Sequence, residues 1–201
     1  MPRHPERIIA DLNASGFACN AEKQYDRAIE ALDQAIRLDP LFAGALHNRG
    51  FAYNGKKQYD RAIKDLNEAI RLDPGFASAF NNRGYAYNGK QQYDRAIEDL
   101  DEAIRLDPQF ADAFNGRGFA NIGKQQYDRA IEDLDQAIRL DPAFASAFNN
   151  RGCACNGKHQ YARAIRDLDE AIRLSPGFTA AVINRSTALR GLAEQPAGKT
   201  G

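Results

Sequence analysis

Residues 93–108 read YDRAIEDLDEAIRLDP and residues 127–142 read YDRAIEDLDQAIRLDP, the same sixteen positions with one change, offset by 34. Related copies end at Pro40, Pro74 and Pro176, so five prolines stand in one register. A fixed period of this length marks a stacked-repeat architecture, in which each unit is too small to bury its apolar face alone and leans on its neighbour. Five repeats occupy residues 9–42, 43–76, 77–110, 111–144 and 145–178 of the 201-residue chain, and a sixth first-helix copy follows at 179–192. Residues 1–8 make a short head, and the small, polar tail 193–201 reads as disordered.

The totals narrow the class of function. Lys+Arg and Asp+Glu balance at 27 each, which removes the long-range attraction that nucleic acid or an anionic membrane exerts. The N-terminus has no apolar run of secretory-signal length, and no stretch approaches a membrane span. Three cysteines, Cys19, Cys153 and Cys155, give no disulfide framework, and a reducing cytoplasm is the expected compartment.

Within one repeat, 77–88 reads as a helix, 89–92 as a turn and 93–106 as a second helix. Gly89 stands where a left-handed residue closes a helix. Asp107-Pro108 stops the second helix and suits the start of the next, with Asp as cap and Pro in the first turn. Asp94 and Arg105 complement the helix dipole. Arg95 with Asp99, and Asp101 with Arg105, have the spacing of weak surface ion pairs. With Ala77 as position one, positions four, seven, eight and eleven (Phe80, Arg83, Gly84, Tyr87) share one side of the first helix. Position eight is glycine in all five repeats: Gly16, Gly50, Gly84, Gly118 and Gly152. Glycine costs a helix about 1 kcal/mol relative to alanine, so its recurrence implies close helix–helix approach there.

These residues resemble the tetratricopeptide repeat over 9–178. The signature is glycine at eight, an aromatic at eleven (Tyr53, Tyr87), alanine at twenty and twenty-seven, and proline at thirty-two. Leucine or phenylalanine replaces the family's tryptophan at four, and leucine its aromatic at twenty-four. The resemblance implies an all-α fold: a right-handed α-solenoid of antiparallel helix pairs, five 34-residue tetratricopeptide repeats plus a C-terminal capping helix. The first helices then line a concave groove, and 179–192 caps the last second helix as a solvating element.

Positions two, five, six, nine, twelve and thirteen form a stripe opposite the packing side. Position five is Asn13, His47, Asn81, Asn115 and Asn149; position six is Ala14, Asn48, Asn82, Gly116, Asn150 and, in the cap, Asn184. Position nine is Phe17, Phe51, Tyr85, Phe119 and Cys153. Carboxamides pair with a peptide backbone without demanding charge, and aromatics add apolar area at low entropic cost. By the resemblance, an asparagine ladder that holds a peptide backbone carries over to Asn48, Asn82, Asn150 and Asn184, and breaks at Gly116. The simpler reading gives position twelve (Asn20, Asn54, Asn88, Asn156) a role in the turn alone. Family members that grip C-terminal carboxylates use basic groove residues, and positions two, five, six and nine hold none in any full repeat.

Position seven is Arg49, Arg83, Arg117 and Arg151 in repeats two to five but Ser15 in the first. Position twenty-three is Asp65, Asp99, Asp133 and Asp167 in the same repeats but Ala31 in the first. Four matched pairs and one matched absence predict an ion pair between the two helices of each repeat.

No chemistry-bearing constellation emerges. Cys153 and Cys155 lie two apart on a helix and face nearly opposite ways, so they cannot share a metal; Cys153 could act only as a groove thiol. Gly198-Lys199-Thr200 lacks the strand, the earlier glycine and the helix of a phosphate loop. The reading is a non-enzymatic scaffold with no cofactor or metal, binding a protein or peptide segment, with self-association through the terminal faces as a variant. The alternative is an RNA-binding helical-repeat protein, against which the charge balance and the uncharged groove count.

Overall fold

The computed structural model describes residues 5–195, and the sequence motif at 198–200 lies outside them. Among the described residues there are eleven helices and no strand. In chain order they are α1 (Pro5–Ala21), α2 (Tyr25–Leu38), α3 (Ala43–Gly55), α4 (Tyr59–Leu72), α5 (Ala77–Gly89), α6 (Tyr93–Leu106), α7 (Ala111–Gly123), α8 (Tyr127–Leu140), α9 (Ala145–Gly157), α10 (Tyr161–Leu174) and α11 (Thr179–Ala193). The fold is an all-α solenoid of repeated helix pairs. It divides into two compact units, Met1–Pro108 with α1 to α6 and Gln109–Gly201 with α7 to α11. In each unit the two helices of a repeat pack together, the second helix packs on the next first helix, and successive first helices touch.

The second helices carry the core. In α6, Ala96, Leu100 and Ala103 fall on one side and are buried, while Asp94, Glu98 and Arg105 remain in solvent. Position-eight glycines sit against these leucines. A Cβ on Gly84 would stand 2.7 Å from Cγ of Leu100, and Gly16, Gly50, Gly118 and Gly152 meet Leu32, Leu66, Leu134 and Leu168 in the same way. The close approach expected from the glycines is therefore real. It also explains the leucine at position twenty-four, whose branch point fills the space that a first-helix Cβ would need.

Several local expectations are corrected. Gly89 is helical; the left-handed residue is two positions on, at Gln91 (φ 58°), with Lys23, Lys57, Gln125 and His159 equivalent. Position thirteen is glycine for another reason. A Cβ on Gly55 or Gly89 would overlap the ring of Tyr25 or Tyr59 in the preceding repeat, and Gly157 and Gly191 meet Tyr127 and Tyr161 likewise. The first repeat carries Ala21 at this position.

The aspartate of the Asp-Pro pair closes its own helix and its turn, not the next helix. Asp73 is the C-cap residue of α4 and accepts from Gly75 N at 3.0 Å, whereas α5 has Phe76 as N-cap with no side-chain bond. The i,i+4 surface pairs give way to other partners: Arg105 takes Glu102, and Asp99 takes Arg83. Helix α1 begins at Pro5, inside the expected head. Helix α11 covers α10, but its outer face is not the polar surface expected of a solvating cap: Val182, Ile183, Leu189 and Leu192 are exposed.

Candidate functional site

The predicted arginine pairs form in all four repeats. Arg83 donates from Nε and Nη2 to the two oxygens of Asp99 at 2.8 and 2.6 Å, and Arg49, Arg117 and Arg151 hold Asp65, Asp133 and Asp167. A third bond was not legible in advance. Nη1 of Arg49, Arg83 and Arg151 reaches back to Asp33, Asn67 and Asp135 at position twenty-five of the preceding repeat. Each of these arginines thus joins two second helices through one first helix. Burial alone would lower the pKa of Arg49, but the hydrogen bonds it donates to Asp65 and Asp33 outweigh it and raise it, which keeps the guanidinium charged.

On the stripe, the amides are bonded to one another. Asn82 donates to Nε2 of His47 at 2.8 Å, His47 Nδ1 faces Oδ1 of Asn48 at 3.2 Å, and Asn48 donates to Asn13 at 2.9 Å. This relay crosses α5, α3 and α1. The C-terminal unit repeats it: Asn184 donates to Asn149, Asn149 to Asn150, and Asn150 to Asn115, across α11, α9 and α7. The position-six asparagines therefore each reach position five of the previous repeat, and Asn48 and Asn149 are buried. Asn81 is half-buried.

The position-twelve asparagines do not serve the turn. Nδ2 of Asn20, Asn54 and Asn156 donates to the main-chain carbonyls of Asn48, Asn82 and Asn184, 28 residues on. In the fourth repeat this position is Ile122, and the neighbouring Asn121 instead bonds Asp133 at 3.0 Å.

With much of the amide capacity spent between neighbouring repeats, the aromatics are the main surface the stripe offers to a ligand. Phe17, Phe51, Tyr85 and Phe119 are 41–63% exposed. Burial, and then the nearby phenols of Tyr59 and Tyr25, push the hydroxyl of Tyr85 up, so at neutral pH it is a proton donor. His47 stacks on Phe76 with ring centroids 4.6 Å apart; burial pushes its pKa down and leaves the ring neutral. The stripe is apolar, amide-bearing and without charge at positions five, six and nine.

The family model described as TPR repeat matches residues 16–57, 53–91 and 122–155, and the one described as Tetratricopeptide repeat matches 77–110. The chain belongs to the tetratricopeptide repeat family. Among curated protein sequences no relative matches. The same fold is seen in TTC0263 of Thermus thermophilus, at 16% identity over 90% of this chain and 99% of that one (TM-score 0.78). YrrB, described as a TPR protein with an unusual peptide-binding site, is 24% identical over 85% of this chain and 88% of its own (TM-score 0.64). MamA is 27% identical over 80% and 94% (TM-score 0.66).

Two other features of this tetratricopeptide repeat protein fall short of a site. A depression of about 660 Å³ on α3 and α4 is lined by Arg49, Lys64 and Arg71 with Asp60, Asp65 and Glu68, a self-neutralised surface holding no stripe residue. Cys153 accepts from Asn184 at 3.0 Å, and burial pushes its thiol up to about 11, so it stays protonated and unreactive near neutrality. No group of three or more metal-ligating side chains occurs among the described residues, and no helix there is long and apolar enough to cross a membrane.

Proposed function

We propose that this protein is a non-catalytic interaction scaffold that holds a peptide segment of a partner protein along the first helices of its repeats. The observation that carries the reading is the row of exposed aromatics Phe17, Phe51 and Tyr85 in the N-terminal unit, beside amides tied to each other; the C-terminal unit separately exposes Phe119 beside its own amide relay. Phe51, Tyr85 and Phe119 supply the contact area. His47, Asn48, Asn82, Asn149, Asn150 and Asn184 shape the floor, and Asn81 and Asn115 flank it. One N–H of Asn82 goes to His47, so its second N–H and its Oδ1 remain to meet a peptide backbone. Such a surface favours a segment with apolar side chains and no charge, because an ion laid there finds no counter-ion and loses water. The peptide-binding site described for YrrB supports a ligand-binding use of this fold.

The test is affinity capture from cytoplasmic extract with the wild type beside Phe51→Ser/Tyr85→Ser, both first shown to have equal helicity. Partners retained by the wild type and lost by the variant support the stripe. Partners held equally by both place recognition elsewhere, and a steep loss of binding with added salt would indicate nucleic acid instead.

A further inference from the structure

Helix α11 is the first helix of a sixth repeat, and no second helix of the described residues stands against it. Val182, Ser186 and Leu189 hold positions four, eight and eleven, which in every complete repeat face that repeat's own second helix. Here Val182 and Leu189 are 46% and 42% exposed. The opposite side is ordinary, with Ala181 and Ala188 buried in the core shared with α10. The bare face is thus continuous with an interface that the chain builds five times.

Two features define what would cover it. Arg185 occupies the position of the pairing arginines. Its Nε reaches back to Asp169 at position twenty-five of the fifth repeat, but no aspartate of its own repeat meets it. One carboxylate is therefore missing at a place that four complete repeats specify. Ser186 replaces the invariant glycine. In the other repeats a Cβ at this point would stand 2.5–2.7 Å from the leucine branch point, so an incoming helix cannot present leucine over Ser186 and must present a small residue. The hydroxyl of Ser186 already donates to the carbonyl of Val182 at 3.0 Å, so burying it strands no hydrogen-bond donor.

We propose that α11 is a docking platform, separate from the first-helix stripe, for an amphipathic helix of a partner protein laid where a second helix would stand. The helix carries the frame Ala-x-x-Asp-Ala-x-x-Ala: the aspartate meets Arg185, the next alanine lies over Ser186, and the outer alanines give close packing on Val182 and Leu189. A second copy of this chain is the poorer occupant. Its own helices with the aspartate in that frame have leucine after it, and their alanines are already buried.

The probe is a stapled, fluorescein-labelled peptide with the α6 sequence and Leu100→Ala, titrated with the full chain and followed by anisotropy. The staple holds the peptide helical, since so short a helix is marginal alone. The alanine peptide should bind about tenfold more tightly than the leucine peptide, and Ser186→Gly should reverse that order. Arg185→Ala in the protein, or Asp99→Asn in the peptide, should each weaken binding about tenfold, and the two together no further. Val182→Asp, at an exposed position that spares the fold, should abolish binding, whereas Tyr85→Ser should leave it unchanged. Equal binding of both peptides by the wild type, or indifference to Val182→Asp and Arg185→Ala, overturns the proposal. So does light scattering that finds a dimer dispersed by Val182→Asp but not by the alanine peptide.

Discussion

Replacing Gly84 with alanine sets two effects of opposite sign against each other. Alanine is the better helix former, and in an exposed helix the change would stabilise by about 1 kcal/mol. At this position the new Cβ would stand 2.7 Å from Cγ of Leu100 and 3.2 Å from the carbonyl oxygen of Ala96. Ordinary contact begins near 3.4 Å, so α5 and α6 must separate by several tenths of an ångström, and the backbone atom cannot rotate away. Overpacking of this kind costs about 1–3 kcal/mol, so after the gain in helix propensity the net result is a loss of up to about 2 kcal/mol. Leu100→Ala alone removes a fully buried side chain and costs about 2–5 kcal/mol. In the double variant the alanine at 84 partly fills the space vacated, so the losses should sum to at least about 1 kcal/mol less than the single values. Native-state hydrogen exchange of amides in α5 and α6 is the suitable assay, because a repeat array need not unfold in one step. A Gly84→Ala variant that proved more stable, or losses that simply added, would refute the claim that the glycine exists for close approach.

The remaining expectations concern the bonds between and within repeats. Arg83→Ala leaves the buried Asp99 carboxylate without its partner and should cost about 3 kcal/mol in the same exchange assay; Arg83→Ala/Asp99→Ala should recover part of it. Burial depresses the folded-state pKa of His47, so its contribution to stability is complete above the unfolded value of about 6.5 and is lost as pH falls through that region. Comparing denaturation midpoints at pH 7.5 and 5 should show a fall in the wild type that is reduced in His47→Asn, which installs the amide found at this position in other repeats. Gly89→Ala should destabilise by about 1–3 kcal/mol, because the new methyl group overlaps the ring of Tyr59. By contrast, Ala21→Gly should cost only about 1 kcal/mol of helix propensity, measurable by thermal melting.

The helix pairs and the arginine–aspartate pairs were legible because each is written several times, once with a matched absence at Ser15 and Ala31. The asparagines were legible as a row but not as a relay. Position five and position six look like two independent rows until the first helices are set side by side, and only then does Asn150 fall opposite Asn115 as well as beside its own neighbour Asn149. The second role of the arginines failed for a similar reason. Position twenty-five is aspartate in four repeats but Asn67 in one, and the amide oxygen serves Arg83 as a carboxylate serves Arg49, so charge alone does not reveal the pairing. One signal was present and unread: the glycine that follows each preceding tyrosine by one repeat, Gly55 after Tyr25 and Gly89 after Tyr59, with Ala21 as the exception. The left-handed turn residue is lysine, glutamine or histidine, none of them a residue type that announces such a backbone, so the expectation went to the adjacent glycine.

The contacts between neighbouring repeats are directional. Leading groups, such as the position-six amide and the position-fourteen lysine, reach back to trailing groups 30–35 residues earlier, as Asn48 does to Asn13, Lys56 to Asp26 and Lys90 to Asp60. The position-thirteen gap receives the preceding tyrosine in the same sense. Each repeat is thus a tile whose two edges are plug and socket of one pattern. A gene segment encoding residues 43–76, copied in tandem after itself, would meet a matching edge on both sides, and every one of these bonds would find a partner without any compensating substitution. The lock is interrupted at two places in the sequence: Ala21 and Glu22 replace its glycine and lysine in the first repeat, and Ala162 with Leu192 replace its aspartate and lysine between the fifth repeat and α11. Such an array lengthens by copying an interior tile. Changes in reach are therefore cheap to evolve.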